Sequence, residues 1–259
     1  MRFSPRLLIG LAAVIAVIVA VSVWPRGGRA DAPACASREF EGSRFSVCTF
    51  DARREDLRLA SQSADGTYLR GFERLAAALG RDAARVRFAM NAGMFDNQGA
   101  PIGLFIAEGD QQHAISLTDS PGNFHMKPNG VFWQEENGAL HVDTSDIYNA
   151  EPRAARWATQ SGPMLVINGA LHERIQQDGP SRYIRNGVGV RDQHTAYFVI
   201  SAGAVSFGRF ARFFRDELHC NNALFLDGSV SALWSPDLQR RDESERIGPL
   251  VVVLDRHRT

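Results

Sequence analysis

LFLDGSVSAL, Leu224 to Leu233, is the stretch whose reading decides the fold. Ala223 to Leu226 is short and wholly apolar, which marks a buried strand between turn signals. Asp227-Gly228 then signals a turn, so a carboxylate stands where the chain leaves the sheet. Side chains at such ends are well placed for chemistry, because loops vary while the strands beneath hold them still. Three other segments share this grammar: RFAMNAGMFDNQG (Arg87 to Gly99), ATQSGPMLVING (Ala158 to Gly169) and RNGVGVRD (Arg185 to Asp192). Each joins an apolar run to a small, polar, glycine-bearing loop. Together with the first they predict one constructed site.

Working outward, strand-like runs recur at Phe45 to Phe50, Leu57 to Ala60, Val86 to Met90, Gly103 to Ala107, Val131 to Trp133 and Leu140 to Val142. Further runs follow at Met164 to Ile167, Val188 to Val190, Ala196 to Ile200 and Leu250 to Leu254. Asn168-Gly169 is a type I′ hairpin signal, since both residues tolerate positive φ. Two helices are expected: Leu69 to Leu79 closed by Gly80, and Phe207 to Leu218 capped by Ser206. Phe207, Phe210, Phe214 and Leu218 fall on one helical face and read as core packing. Strands outnumber helices and do not alternate with them, which disfavours doubly wound and barrel α/β folds. The expected fold class is α+β: a single domain on a large mixed or antiparallel sheet with a few flanking helices.

The chain has 259 residues, 44% of them apolar, enough for one large core. With 29 basic and 29 acidic residues the formal charge is zero, and no basic stripe calls for a nucleic-acid partner. Arg2 and Arg6 precede an uncharged run, Leu7 to Val23, of about the length that spans a bilayer. The expected organisation is therefore a signal peptide or membrane anchor over 1–24, a linker over 25–39 and a folded domain over 40–259. The folded part is expected outside the cytoplasm, anchored at the inner membrane facing the periplasm, or secreted if the signal is removed. Cys35 and Cys48 are close enough in sequence to close a small loop in an oxidising compartment, leaving Cys220 as a buried thiol. No Cys or His spacing suggests a metal site, Asp96-Asn97-Gln98-Gly99 reads as a tight turn, and no cofactor is expected.

At its motifs the chain resembles the phosphodiester glycosidase family. The resemblance rests on NAGMF (Asn91 to Phe95), PIGL (Pro101 to Leu104), SGPMLVINGAL (Ser161 to Leu171), RNGVGV (Arg185 to Val190) and LFLDGSVSAL, in that order. KPNGVFW, Lys127 to Trp133, is similar to a marker of a bacterial branch of exported proteins. The chain departs from the family's pattern at Ser229, where a second glycine is usual, and at Asn186, where threonine commonly follows the arginine. Both departures lie in the inferred site, so the family's substrate is not carried over with them.

The resemblance implies hydrolysis of a sugar 1-phosphodiester, splitting sugar from phosphate. Phosphate is a good leaving group, so a strong general acid is less needed than in glycosidases that divide the work between two carboxylates. What remains is to hold an anion, stabilise an oxocarbenium-like transition state and admit water or a carboxylate to the anomeric carbon. On this reading Asp227, Arg185 and Asn91 are the catalytic candidates. Asp227 faces the anomeric carbon, with a simple turn-forming aspartate as the competing reading. Arg185 clamps phosphate through its two-pronged guanidinium, with a surface salt bridge as the alternative. Asn91 bonds sugar or phosphate, or merely tolerates a turn. Lys127, Asn129, Ser161, Gly162, Asn186, Gly228 and Ser229 are the substrate-binding candidates. The glycines and serines among them would offer backbone N–H groups to an anion. The rival classes are a non-catalytic envelope glycan-binding module and a glycosyl or phosphoglycosyl transferase.

Overall fold

Strand alternation sets the architecture, because neighbouring side chains point to opposite faces of a sheet. Leu224 and Leu226 enter one hydrophobic cluster while Ala223 and Phe225 enter another. Val251 and Val253 part from Leu250, Val252 and Leu254 in the same way. In this computed structural model, which describes residues 32–151, 153–243 and 246–256, the strands form three principal sheets. The first runs Cys35–Phe40, Ser43–Asp51, Thr195–Ser201, Asn186–Asp192, Asn222–Asp227, Met164–Ile167 and Ala170–Leu171. The second runs Arg240–Arg241, Leu233–Ser235, Val86–Asn91, Leu250–Asp255 and Glu55–Ala60. The third runs Asp110–His113, Phe105–Ala107, Ala155–Ser161, Gly130–Glu135 and Leu140–Thr144. The neighbours pair antiparallel throughout these sheets.

The expected single large sheet is thus replaced by three that share one core. Phe198 of the first sheet meets Phe88 of the second and Phe132 of the third, each with ring centroids 5.5 Å apart. The outer face of the first sheet is covered by Phe207–Arg212 and the wider turn that follows it, Phe213–Glu217. The outer face of the second is covered by Phe72–Leu79.

Local signals hold with instructive shifts. Ser206 caps its helix by accepting the Arg209 N–H at 3.2 Å. The expected continuous helix to Leu218 widens after Arg212, with the Leu218 N–H reaching back five residues to Phe213 O, and both Phe213 and Phe214 enter the core. The first helix starts at Phe72 rather than Leu69, because Arg70 takes a positive φ of 53°. Asn168 and Gly169 adopt φ of 49° and 79°, and Ile167 pairs with Ala170 across the turn. Ala155–Ser161, central in the third sheet, was hidden in the sequence by its polar composition.

The polar CASREF segment is a strand at the sheet edge, and its Cys35 is bonded to Cys48 directly across the pair. From Pro33 onward the chain forms one compact unit. Cys220 is buried, and burial pushes its thiol up to about 12. The apolar run Leu7 to Val23 lies outside the described residues; among those described, no helix is long and apolar enough to cross a membrane.

Two glycines of RNGVGV let the aromatic layer approach the first sheet. A methyl group on Gly189 would stand 2.5 Å from Phe214 Cδ1 and 2.8 Å from Cys220 Sγ. Gly189→Ala is therefore expected to cost about 1–3 kcal/mol in urea unfolding, through overpacking. At the far edge of the second sheet, burial pushes the Glu55 carboxyl up to about 7, although it accepts the Asp51 N–H and lies 3.7 Å from Arg87. A raised carboxyl binds its proton more tightly in the folded chain. Its contribution is complete below the ordinary glutamate value and is lost as pH rises through about 7. The Tm of Glu55→Gln is expected to fall less than that of the parent between pH 5 and 8, and parallel curves would reject this.

Candidate functional site

Three sheets end at one place, and each end contributes a side chain. Asn91 closes the Val86–Asn91 strand of the second sheet, Ser161 closes Ala155–Ser161 of the third, and Asn186 and Asp227 sit opposite one another in the first. The ends are stitched by hydrogen bonds. Asn186 Nδ2 donates to Asn91 O at 2.9 Å and to Asn91 Oδ1 at 3.0 Å. Asn186 Oδ1 accepts the Asp227 N–H at 2.8 Å. Asn91 Nδ2 donates to Val230 O, and Asn91 Oδ1 also accepts the Ala232 N–H. Ser161 Oγ donates to Leu226 O at 2.6 Å. Between Gly187 opposite Phe225 and Asn186 opposite Asp227 the register slips, a bulge at the place where the carboxylate is presented.

Asp227 is 5% exposed. Its Oδ1 accepts the N–H groups of Ser229 at 2.8 Å and Val230 at 3.4 Å, while Oδ2 has no hydrogen bond among the described residues. Burial raises its pKa, and the loop N–H groups pull it partway back. The turn-forming and functional readings are thus compatible: one oxygen holds the turn and the other is left over.

Arg185 departs most from ordinary behaviour. It is fully buried, yet no carboxylate pairs with it among the described residues. The backbone carbonyl of Val205 takes its Nε at 3.0 Å, and Ser181 takes Nη2 through both its carbonyl and its hydroxyl. The guanidinium lies 3.5 Å from the Phe207 ring centroid and 5.4 Å from that of Phe225. Burial pulls its pKa down to about 10, so it stays charged at neutral pH. Among the described residues Nη1 carries no hydrogen bond; it lies against Gly228, where an added Cβ would be 3.6 Å away. The surface-salt-bridge reading of Arg185 is excluded. The described arrangement is a buried cation with one edge left without a protein acceptor beside the Asp227 turn. It suits an anion.

Other candidates fall into two groups. Gly228 and Ser229 belong to the Asp227 turn, and Ser231 Oγ donates to Ile184 O at 3.3 Å, tying that turn to the segment before Arg185. Lys127, Asn129 and Gly162 form a separate clamp. Lys127 Nζ donates to Leu117 O, Asn129 Nδ2 donates to Phe124 O, and a Cβ on Gly162 would meet Asn129 Cβ at 2.6 Å. Pro163 O accepts the Phe225 N–H, so this clamp braces the strand that carries Asp227. Lys127 Nζ, Asn129 Nδ2 and both polar side-chain atoms of Asn91 bond protein groups. Sequence reading missed Ser181, Val205 and Ser201, which hold Arg185 through its side chain and, for Ser201 Oγ, its N–H. It read Phe207 as core alone, although that ring also supports the guanidinium.

Among the described residues no three His, Cys, Asp or Glu side chains cluster as metal ligands. Asp96 Oδ1 instead collects the N–H groups of Gln98, Gly99 and Ala100 in a tight turn. A cleft of 620 Å³ lies against Tyr68, Arg70, Phe72, Arg74 and Gln98 and includes neither Asp227 nor Arg185. Side-chain chemistry locates the site better than volume here, since the cleft's Arg70 and Arg74 donate to neighbouring carbonyls.

Residues 84–252 match the profile of the phosphodiester glycosidase family. The chain belongs to that family. The matched region contains Asn91, Ser161, Arg185, Asn186 and Asp227. Uncharacterised protein YigE of Escherichia coli (strain K12) is 36% identical over 152 residues, 58% of this chain and 58% of that protein. The catalytic domain of zebrafish N-acetylglucosamine-1-phosphodiester alpha-N-acetylglucosaminidase, auto-inhibited by its pro-peptide, superposes with a TM-score of 0.59. It shares 15% identity, over 88% of this chain and 85% of that one. A hypothetical protein from Synechocystis gives a TM-score of 0.53 at 17% identity, over 86% of this chain and 61% of that one. At such identities these two structures establish the fold alone.

The junction predicts its own stability effect. Asn186→Ala leaves the Asp227 N–H and the Asn91 carbonyl without their buried partner, and is expected to cost about 3 kcal/mol in urea unfolding. A loss below about 0.5 kcal/mol, the size of an ordinary surface effect, would show that the three sheet ends do not depend on it.

Proposed function

We propose that this phosphodiester glycosidase domain hydrolyses a sugar 1-phosphodiester of envelope glycan or exopolysaccharide outside the cytoplasm. The observation that carries the reading is Arg185: a buried cation without an acid partner, its free Nη1 beside the turn that presents Asp227. Burying a charge unpaired is costly, and an anion bound at Nη1 relieves that cost. A phosphodiester held there places its sugar toward the free Oδ2 of Asp227.

In hydrolysis the C1–O bond breaks with its electron pair passing to the phosphate oxygen, and a water oxygen bonds to C1. The Asp227 carboxylate stabilises the positive charge that grows at the ring, or takes the proton from that water. Arg185 stabilises the departing phosphate. Asn91 and Asn186 act as positioning residues, fixing the backbone of Asp227 from behind. The disulfide between Cys35 and Cys48 supports an oxidising compartment, in keeping with export directed by the apolar N-terminal run.

Release of sugar from synthetic sugar 1-phosphodiesters is the direct measurement. Asp227→Asn is expected to lower kcat about a thousandfold, and Arg185→Lys to lower kcat/KM roughly a hundredfold, with Tm recorded to confirm folding. The acid limb of kcat/KM should lie above that of an ordinary aspartate, because burial raises the Asp227 pKa and activity is lost as falling pH protonates it. Normal turnover by folded Asp227→Asn would remove the carboxylate from the mechanism. Tight binding of the diester with no turnover would instead select the glycan-binding module.

A further inference from the structure

The two edges of the Arg185 guanidinium differ in what they face. Nη1 faces Gly228 and the Asp227 turn; Nη2 is held by Ser181, and the flat face rests on Phe207. Ser181 and Phe207 are also the walls of a small pocket of 140 Å³, lined in addition by Met126, Arg174, Ile175 and Pro180. The pocket and the guanidinium thus share two walls, Ser181 and Phe207.

We infer that this pocket is an aglycone subsite that favours a compact, negatively charged aglycone, with Arg174 as the selecting residue. The inference rests on the reading of Arg185 as phosphate anchor. A phosphodiester held at Nη1 has two ester oxygens. The one leading to the sugar must point toward Asp227, where a carboxylate faces C1. The other then points across the fork, past Ser181 and Phe207, into the pocket. The pocket is small beside the 620 Å³ cleft at Arg70, which suits a compact head.

Charge narrows the choice further. Arg174 is exposed and forms no ion pair among the described residues. The nearby acid Asp178 is taken by Arg182 at 2.8 Å. The backbone of Arg174 is nevertheless fixed, because its N–H donates to Nδ1 of His172 at 3.1 Å, and that ring is 1% exposed. His172 is thus a positioning residue for the turn that carries Arg174 to the pocket. Met126, Ile175 and Phe207 supply apolar surface for the aglycone carbons, and Arg174 supplies the cation for its acid group.

The test compares two glycosyl 1-phosphodiesters that differ only in the aglycone, propyl against 2-carboxyethyl, prepared on glucose and on N-acetylglucosamine. Calorimetry with full-length Asp227→Asn protein, in which hydrolysis is suppressed, is expected to show about fivefold tighter binding of the carboxyethyl diester. In Asp227→Asn/Arg174→Ala the ratio of the two affinities is expected to fall to near one, and in Asp227→Asn/Arg174→Glu to invert. Equal affinities in the Asp227→Asn protein, a preference that survives Arg174→Ala, or binding of neither diester would each overturn the subsite. Turnover by the unaltered protein is read separately. Its absence alongside an Arg174-dependent ratio would retire the proposed hydrolysis and keep the subsite.

Discussion

The carboxamide of Asn186 is the point on which this site depends. Where three sheets end together, backbone groups lose their ladder partners, and buried groups left unpaired are costly. One side chain resolves this by donating to Asn91 at the end of the second sheet and accepting from Asp227 in the first. An amide offers two N–H donors and an acceptor together, whereas a hydroxyl has a single donor and an ionised carboxylate has none. The junction is rigid because every partner is backbone or is itself held: Asn91 is gripped by Val230 and Ala232, and Ser161 fixes Leu226. Asp227 inherits its position from this network.

The same region carries an electrostatic imbalance. Several other arginines sit in ordinary pairs, such as Arg240 with Asp242 and Arg212 with Glu41. Arg185 is supported by carbonyls, a serine and aromatic faces, none of which cancels its charge. Its pKa is pulled down and that of Asp227 is pushed up, both by burial, and neither relieves the other through an ion pair. Two like-minded departures of this kind in one place fit a site prepared for a charged ligand. The aromatic layer makes it possible, and that layer in turn requires the glycines of RNGVGV, since Gly187 and Gly189 lie where Phe210 and Phe214 press on the sheet.

Much of this was legible in the chain. Short apolar runs between turn signals identified most strands of the core, the Asn168-Gly169 hairpin followed from the φ both residues tolerate, and Ser206 was readable as a cap. Arg185 and Asp227 stood out as a cation and a carboxylate in glycine-bearing loops. Other features were not legible. Ala155–Ser161 looked too polar for a central strand, because Thr159, Gln160 and Ser161 spend their polarity on buried hydrogen bonds that only the folded chain supplies. CASREF looked like linker, because an edge strand needs few apolar residues.

The sequence by itself determined the apolar core strands, several of the turns and which residue types could do chemistry, since dihedral preference and hydropathy act within a few residues. Tertiary structure decided that the strands divide among three sheets and that their ends meet. It also decided that Asn91 and Asn186 serve the protein's own backbone while Arg185 keeps an edge free. The reason is separation along the chain: the bonds that make the junction join residues 95 and 41 positions apart, and no local preference reaches that far.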